Sequence, residues 1–310
     1  MLVGVIDSIC GKEIFMKTLV FGSLNLDFIY RVPHIAAPGE TLSSSRLSLS
    51  CGGKGLNQSI ALAKAGSEVY LAGSVGPDGT PLRKIASENG VNISLLRTIE
   101  ERTGNAIIQV SDAGENSIIL FGGSNLCNST AYIDETLSHF EAGDILLLQN
   151  EINNLPYIMQ MASEKGMLIA LNASPCNKNI FSCPLDLIHF LFVNEIEGGM
   201  LSGTDEPGEM VWPLRKLCPQ AHIILTLGEK GSLFFDGETL HKGTCFKARI
   251  VDTTGAGDTF TGYFLTAWAE GMKGKEILNL AAKASAITVS TAGAAISIPY
   301  RGQVDDFDQK

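Results

Sequence analysis

The sequence predicts an α/β protein, a three-layer α/β/α, Rossmann-like core on a parallel sheet, with a small β-sheet beside it as a lid. Three observations predict this. Continuous apolar runs such as DILLLQ, MLIALN and HIILTLG alternate with helix-length stretches, the pattern of strands covered by helices on both faces. Several of these runs end in polar or Gly-rich residues, as strands do when their carboxyl ends line a ligand crevice. Two segments, 28–50 and 105–121, break the rhythm with strand-and-turn character of their own.

Residues 1–15 read as a leader without an assigned role: Asp7 interrupts a short apolar stretch that no basic region precedes. The first strand is 18–22. Pro33, Pro38 and the serines at 43–45 punctuate short strands and turns over 28–50. A helix begins near Leu56 and stops at Gly66, EVYLAGSVG is a strand, and a second helix closes at Asn89-Gly90. Runs 106–110 and 117–121 flank the turn composition Asp112-Ala113-Gly114-Glu115-Asn116 and predict a β-hairpin. DILLLQ is then a strand, 154–165 a helix, MLIALN and LIHFLFVN strands, 207–217 a helix and HIILTLG a strand. Two helices rich in small residues, 258–270 and 275–290, follow, separated by Gly271 and Gly274. The two β-rich segments are expected to join in one small sheet.

Composition excludes several classes. Of 310 residues 45% are hydrophobic and 18% charged, enough for a sizeable core and unlike a disordered chain. The net charge of −10 argues against a nucleic-acid partner, and no apolar run is long enough to span a membrane. Seven cysteines, an odd number without a C-x-x-C pair, signal neither a disulfide framework nor a zinc site and suit a cytoplasmic protein. The five histidines are scattered.

The strongest chemical signal is Asp252-Thr253-Thr254-Gly255-Ala256-Gly257-Asp258, read as running from a strand into a helix. Small residues at a helix mouth leave N–H groups uncovered where the helix dipole is positive, a place for a transferring phosphoryl group. Asp258 beside them suits a base that takes a proton from an attacking hydroxyl, although taken alone it could simply cap the helix. Cys51-Gly52-Gly53-Lys54-Gly55-Leu56-Asn57-Gln58 is a second loop-to-helix junction, without Walker spacing. In Gly22-Ser23-Leu24-Asn25-Leu26-Asp27, Asn25 and Asp27 would face one side of an extended chain and offer an amide and a carboxylate to sugar hydroxyls, or else form an Asx-turn. Further strand ends carry Gln149-Asn150-Glu151, Asn194-Glu195-Ile196-Glu197 and Thr226-Leu227-Gly228-Glu229-Lys230-Gly231.

This order of motifs, from G-S-x-N-x-D through GGKGxN, N-x-x-E and T-x-G-x-x-G to DTTGAGD and G-A-x-x-S-x-P, resembles the ribokinase-like carbohydrate kinase family from about Thr18 to Pro299. The resemblance implies one kinase domain over 16–310, with lid segments at about 26–50 and 104–123. It implies transfer of the γ-phosphoryl group of ATP to a primary hydroxyl, with D-ribose going to ribose 5-phosphate as the expected reaction. Asp258 matches the family's general base, and the N–H groups of Gly255, Ala256 and Gly257 its anion hole. Asn25, Asp27, Gly53, Lys54, Asn57 and Glu151 match sugar-contacting positions; Asn194, Thr226, Gly228 and Gly231 match the nucleotide side. Glu197 matches the acidic group tied to hydrated Mg²⁺. Asp252, Thr254, Thr288, Thr291, Gly293 and Ser297 fall where K⁺ is bound, largely by backbone carbonyls. The family's lid also mediates dimerisation, so a homodimer is implied.

Two positions depart from the family pattern. Leu56 stands where a small residue is common, which would put a bulkier side chain next to the sugar, and STAGAAISIP lacks a frequent basic residue. A nucleoside kinase is the alternative within the family, with Phe28, Tyr30 and Phe121 as candidate base contacts. A sugar-phosphate kinase would need a basic cluster that Arg31, Arg46, Lys54 and Arg97 do not evidently form. From a different class, a sugar-binding regulator without catalysis would not need Asp258, the Gly-Ala-Gly turn and Glu197 together.

Overall fold

The first strand already separates two cores. In β1 (Lys17–Phe21) Leu19 and Phe21 are buried in one apolar cluster and Val20 in another, as alternating side chains must be when both faces of a sheet are covered. The computed structural model describes residues 16–307; the leader expected over 1–15 lies outside them.

After β1 come β2 (Asn25–Val32), β3 (Arg46–Gly52), α1 (Lys54–Ala65), β4 (Glu68–Val75), α2 (Thr80–Glu88) and β5 (Leu96–Thr98). The hairpin expected between 105 and 121 is β6 (Gly104–Ser111) and β7 (Asn116–Phe121), paired antiparallel. Next are α3 (Thr130–Leu137), β8 (Ile145–Gln149), α4 (Leu155–Glu164), β9 (Leu168–Asn172), β10 (Phe190–Asn194), α5 (Glu195–Ser202), α6 (Pro207–Leu217) and β11 (His222–Thr226). The chain continues through β12 (Ser232–Phe235), β13 (Leu240–Gly243), α7 (Ala256–Ala269), α8 (Lys275–Thr288) and α9 (Arg301–Asp305).

The larger sheet runs β13-β12-β11-β10-β9-β8-β1-β4-β5. Its strands pair in parallel from β11 to β5; β12 pairs antiparallel with β11 and β13 antiparallel with β12, an edge that the sequence reading does not contain. One cluster packs α1, α7 and α8 on the sheet through Ile60, Phe264 and Ile277; the other packs α3, α4 and α6 through Ile133, Ile158 and Leu214. The smaller sheet, β3-β2-β6-β7, joins the two β-rich segments as expected, with β2 and β6 parallel.

Several boundaries move, for physical reasons. α1 starts at Lys54, two residues before the expected Leu56. Leu56 itself is buried in the core and donates its N–H to Ser23 O at 3.0 Å, so its bulk faces the sheet rather than an open surface. The strand expected from Leu187 begins only at Phe190, because Leu185–Leu187 forms a 3₁₀ turn and the His189 ring accepts from Ile169 N–H. No strand leads directly into Asp252: β13 ends at Gly243, and residues 244–250 have no regular secondary structure. α5 follows β10 without a connecting residue, since Asn194 both ends the strand and caps the helix. No helix among the described residues is long and apolar enough to cross a membrane.

Candidate active site

At the mouth of α7, Gly255 adopts φ +81 as the N-cap residue, a left-handed conformation that glycine reaches without Cβ strain. Ala256 N–H is taken up by Thr253 O at 3.3 Å. Among the described residues Gly255 N–H has no partner, and those of Gly257 and Asp258 lie in the first turn, where no intrahelical acceptor exists. A cavity of about 220 Å³ opens there, lined by Gly255, Gly257, Asp258, Lys54, Glu197 and Thr226 among others.

Asp258 is almost fully buried, and both its oxygens are held from α1: Asn57 Nδ2 donates to Oδ2 and Gln58 Nε2 to Oδ1, each at 2.9 Å. Two successive side chains reach one carboxylate because the helices nearly touch. A Cβ on Gly262, one turn beyond Asp258, would lie 2.5 Å from the Cβ of Ala61 and 2.8 Å from Leu62 N. Ala61 is in turn one turn beyond Asn57. Gln58 is not among the residues the sequence reading assigns to the site.

The α1 N-terminus is brought to the sheet by the same device. A Cβ on Gly55 would sit 2.5 Å from Gly22 C and Ser23 N, so the helix start rests directly on the end of β1. Gly53 (φ +96) turns the chain beside Ser23 O. Lys54 thereby enters the cavity wall. Its ammonium makes no ion pair within 4 Å among the described residues, while Glu151 accepts from Lys54 N–H at 3.3 Å and from the Ser23 hydroxyl. Burial opposes the Lys54 charge, but Asp258, Glu151 and Glu197 outweigh it and raise its pKa. Burial is also what raises the Glu151 pKa, against the pull of Lys54. The Asp27 carboxyl is pushed up to about 7 by burial and then by the neighbouring Glu151. Asn25, two residues away in β2, accepts from Asn125 Nδ2 at 2.8 Å, and Asn125 Oδ1 accepts from Leu24 N–H. Asn25, Asp27, Gly53, Asn57 and Glu151 thus stand outside the cavity lining; Asn57 connects to it through Asp258, and Glu151 through the Lys54 N–H.

On the opposite wall Asn194 and Glu197 form a capping box: Glu197 N–H donates to Asn194 Oδ1 at 2.8 Å and Asn194 N–H to Glu197 Oε2 at 3.0 Å. Among the described residues Glu197 Oε1 has no hydrogen-bond partner. Among the described residues no three His, Cys, Asp or Glu side chains converge as a metal centre. One buried carboxylate fits a hydrated Mg²⁺ that takes most of its ligands from phosphate and water. Thr226 ends β11 in the cavity wall, while Gly228 and Gly231 lie in the following turn. Gly231 (φ +94) is a glycine because Gly243 O passes where a Cβ would be. Asn172, the last residue of β9, and Ser174 just beyond it also line the cavity. Asn172 ends a parallel strand in a polar residue, the signal that identified the others, yet the sequence reading takes it only as the end of the strand MLIALN and not as a site residue.

Asp252 ties two loops together. Its Oδ1 accepts from Thr254 N–H (2.9 Å) and hydroxyl (2.6 Å), and its Oδ2 from Gly293 N–H (2.9 Å). Burial works against its charge, but these donors outweigh it and lower the pKa. Among the described residues the carbonyls of Asp252, Thr254, Thr291 and Gly293 accept no hydrogen bond, an arrangement that fits a monovalent cation bound by carbonyl oxygens. Thr288 and Ser297 contribute differently: Thr288 O accepts from Thr291 N–H, and their hydroxyls donate to Ala284 O and Ala294 O.

The model of the pfkB family carbohydrate kinases matches residues 16–301. The chain belongs to that family. The ribokinase of Haemophilus influenzae is 34% identical to it over 306 residues, covering 94% of this chain and 98% of that protein. The crystal structure of ribokinase from Thermotoga maritima matches with a TM-score of 0.83 at 31% identity, over 94% of this chain and 98% of that one. Arabidopsis thaliana ribokinase complexed with ribose and ATP matches with a TM-score of 0.83 at 30% identity, over 95% and 100%. The cavity at the mouth of α7 brings together a buried carboxylate, the N–H groups of a helix start and the polar ends of β9, β10 and β11.

The Asp27 shift has a consequence for stability. Below about pH 3.8 this carboxyl is protonated in both folded and unfolded chains; between there and about pH 7 only the unfolded chain releases the proton. Asp27 therefore costs stability progressively as pH rises through that window. In sugar-free protein, the Tm of Asp27→Asn relative to wild type should increase from pH 5 to pH 8. A constant difference across that range in thermal melts would show that Asp27 is not held protonated.

Proposed function

We propose that the protein is an ATP-dependent ribokinase, transferring the γ-phosphoryl group of ATP to the primary hydroxyl of D-ribose to give ribose 5-phosphate. The observation that carries this reading is Asp258 at the mouth of α7, its carboxylate held by two amides beside the unpartnered N–H groups of Gly255 and Gly257. The ribokinases of comparable length and architecture support ribose as the sugar.

In the proposed reaction Asp27, Asn25, Asn57 and Glu151 orient the secondary hydroxyls, so that the primary hydroxyl points at Asp258. Such placement accounts for a large part of enzymatic acceleration. As the new O–P bond forms and the bond to the ADP oxygen breaks, the hydroxyl proton passes to an Asp258 oxygen and afterwards to solvent. The Gly255 and Gly257 N–H groups and the Lys54 ammonium face the charge that develops on the phosphoryl oxygens. Asn194, Thr226, Gly228 and Gly231 hold the nucleotide side. Mg²⁺, reached by Glu197 through water, would screen the phosphate charge. K⁺ would sit among the free carbonyls of Asp252, Thr254, Thr291 and Gly293 and add positive charge behind the anion site.

The four-stranded sheet supports a lid that also pairs two copies of the chain. Leu49, Phe28, Ile107 and Ile119 stand in one register row, and Leu49 (56%), Ile107 (42%) and Ile119 (62%) are exposed. Phe28 packs partly on the core, which leaves it less available to a nucleoside base. All six cysteines among the described residues are free, which suits a reducing, cytoplasmic setting.

Asp258→Ala should lower kcat at least about a hundredfold, the lower end of acid–base contributions, while ribose still shifts the Tm. A variant turning over at the wild-type rate would remove Asp258 from the role of base. A panel of ribose, deoxyribose, fructose, adenosine and fructose 6-phosphate, with and without K⁺, tests the substrate: the highest kcat/KM should fall to ribose, and preference for adenosine would replace this reading with a nucleoside kinase. For the lid, Ile119→Lys should turn a dimer into a monomer in light scattering; an unchanged mass would place any interface elsewhere.

A further inference from the structure

The base is not held by the substrate-contacting Asn57 alone. Behind it runs a chain of two fully buried amides: Gln149 Nε2 donates to Gln58 Oε1 at 2.7 Å, and Gln58 Nε2 donates to Asp258 Oδ1 at 2.9 Å. It spans three elements, from the end of β8 across α1 to the first turn of α7.

An ionised carboxylate only accepts hydrogen bonds, whereas a primary amide has a donor end and an acceptor end. Asp258 therefore dictates the direction of the whole chain. Gln58 must turn its NH₂ toward Asp258, which leaves its carbonyl facing Gln149, and Gln149 must then turn its own NH₂ toward Gln58. The last carbonyl in such a chain has nothing left to accept from unless another donor is near. Among the described residues Gln149 Oε1 is indeed a buried acceptor without a partner, packed against Gly22. Buried orphan acceptors are uncommon and unfavourable. Its presence at the far end is what an acceptor-only group at the near end requires.

We infer that Gln58 and Gln149 are positioning residues for the phosphoryl-transfer base: a polarised amide chain that anchors Asp258 Oδ1 to the sheet, leaving the other lone pairs of the carboxylate for the substrate proton. Neither amide has to rotate when Asp258 takes that proton on its other oxygen, because Gln58 remains a donor to Oδ1 and Gln149 a donor to Gln58. The site is thus organised before the reaction and needs no rearrangement during it. The inference rests on the assignment of Asp258 as base, and wild-type turnover of ribose with loss in Asp258→Asn tests that assignment separately.

The experiment is steady-state kinetics on the full chain. Gln58→Met keeps the bulk and removes the donor, and kcat should fall at least about tenfold, as for loss of a hydrogen bond to a charged group, with both KM values within about twofold. Gln149→Met should give a smaller loss, about threefold, without touching Asp258. Gln149→Glu inverts the polarity: it draws the Gln58 NH₂ away and turns the Gln58 carbonyl toward Asp258, so it should lower kcat more than Gln149→Met does. A merely structural role would not produce the final signature, that Gln58→Met adds no further loss in the Asp258→Asn background. Ribose-dependent thermal shifts confirm folding, and if Gln58→Met does not fold, the two Gln149 variants carry the test. Wild-type kcat in Gln58→Met, equal effects of Gln149→Met and Gln149→Glu, or full additivity with Asp258→Asn would each overturn the inference.

Discussion

The contact between α1 and α7 is the constraint on which the site depends. At Gly262 and Ala61 the two helices approach so closely that one added methyl group would meet a side chain and a backbone nitrogen. One turn away, that same approach lets two adjacent amides of α1 reach both oxygens of a carboxylate on α7. Side-chain amides are short, so the hydrogen bonds and the helix separation are the same fact seen at two heights. The large apolar cluster around Ile60, Phe264 and Tyr263 holds the pair together, and the directional contacts tune where within that packing the carboxylate comes to rest.

Charge is arranged around this point with economy. Among the described residues Lys54 is the one cation in the cavity wall, set among Asp258, Glu151 and Glu197 without an ion pair to any of them at 4 Å. An ammonium committed to one carboxylate would be less available to an incoming phosphate. Spread among three, it stays charged and offsets the repulsion that an anionic substrate would meet from the acidic groups. The helix mouth adds fixed N–H dipoles that need no counter-ion. Burial raises the pKa of Asp27, and also that of the neighbouring Glu151.

Much of this was legible in the amino-acid sequence. The alternation of apolar runs and helices set out the parallel sheet, and Gly255, Gly257 and Asp258 marked the α7 mouth because only a narrow set of residues can make that turn and leave its N–H groups bare. Other features depend on how elements meet. Gln58 and Gln149 stood in quoted motifs, but nothing local shows that two glutamines 91 positions apart will touch. Leu56 looked like a substrate neighbour until the phase of α1 turned it into the core. The antiparallel β12–β13 edge rests on four-residue strands, too short for periodicity to reveal. α5 was hidden because the residue that ends β10 also caps the helix, leaving no loop to read.

Gly262→Ala gives the most direct measurement of the central constraint. Alanine favours a helix over glycine by about 1 kcal/mol, so considered as helix chemistry alone the substitution should leave the enzyme intact or more stable. If the close helix contact places Asp258, the added methyl must separate α1 from α7, and kcat should fall at least about tenfold, as small misplacements of reacting groups do. An unchanged kcat in a folded Gly262→Ala protein would contradict the account.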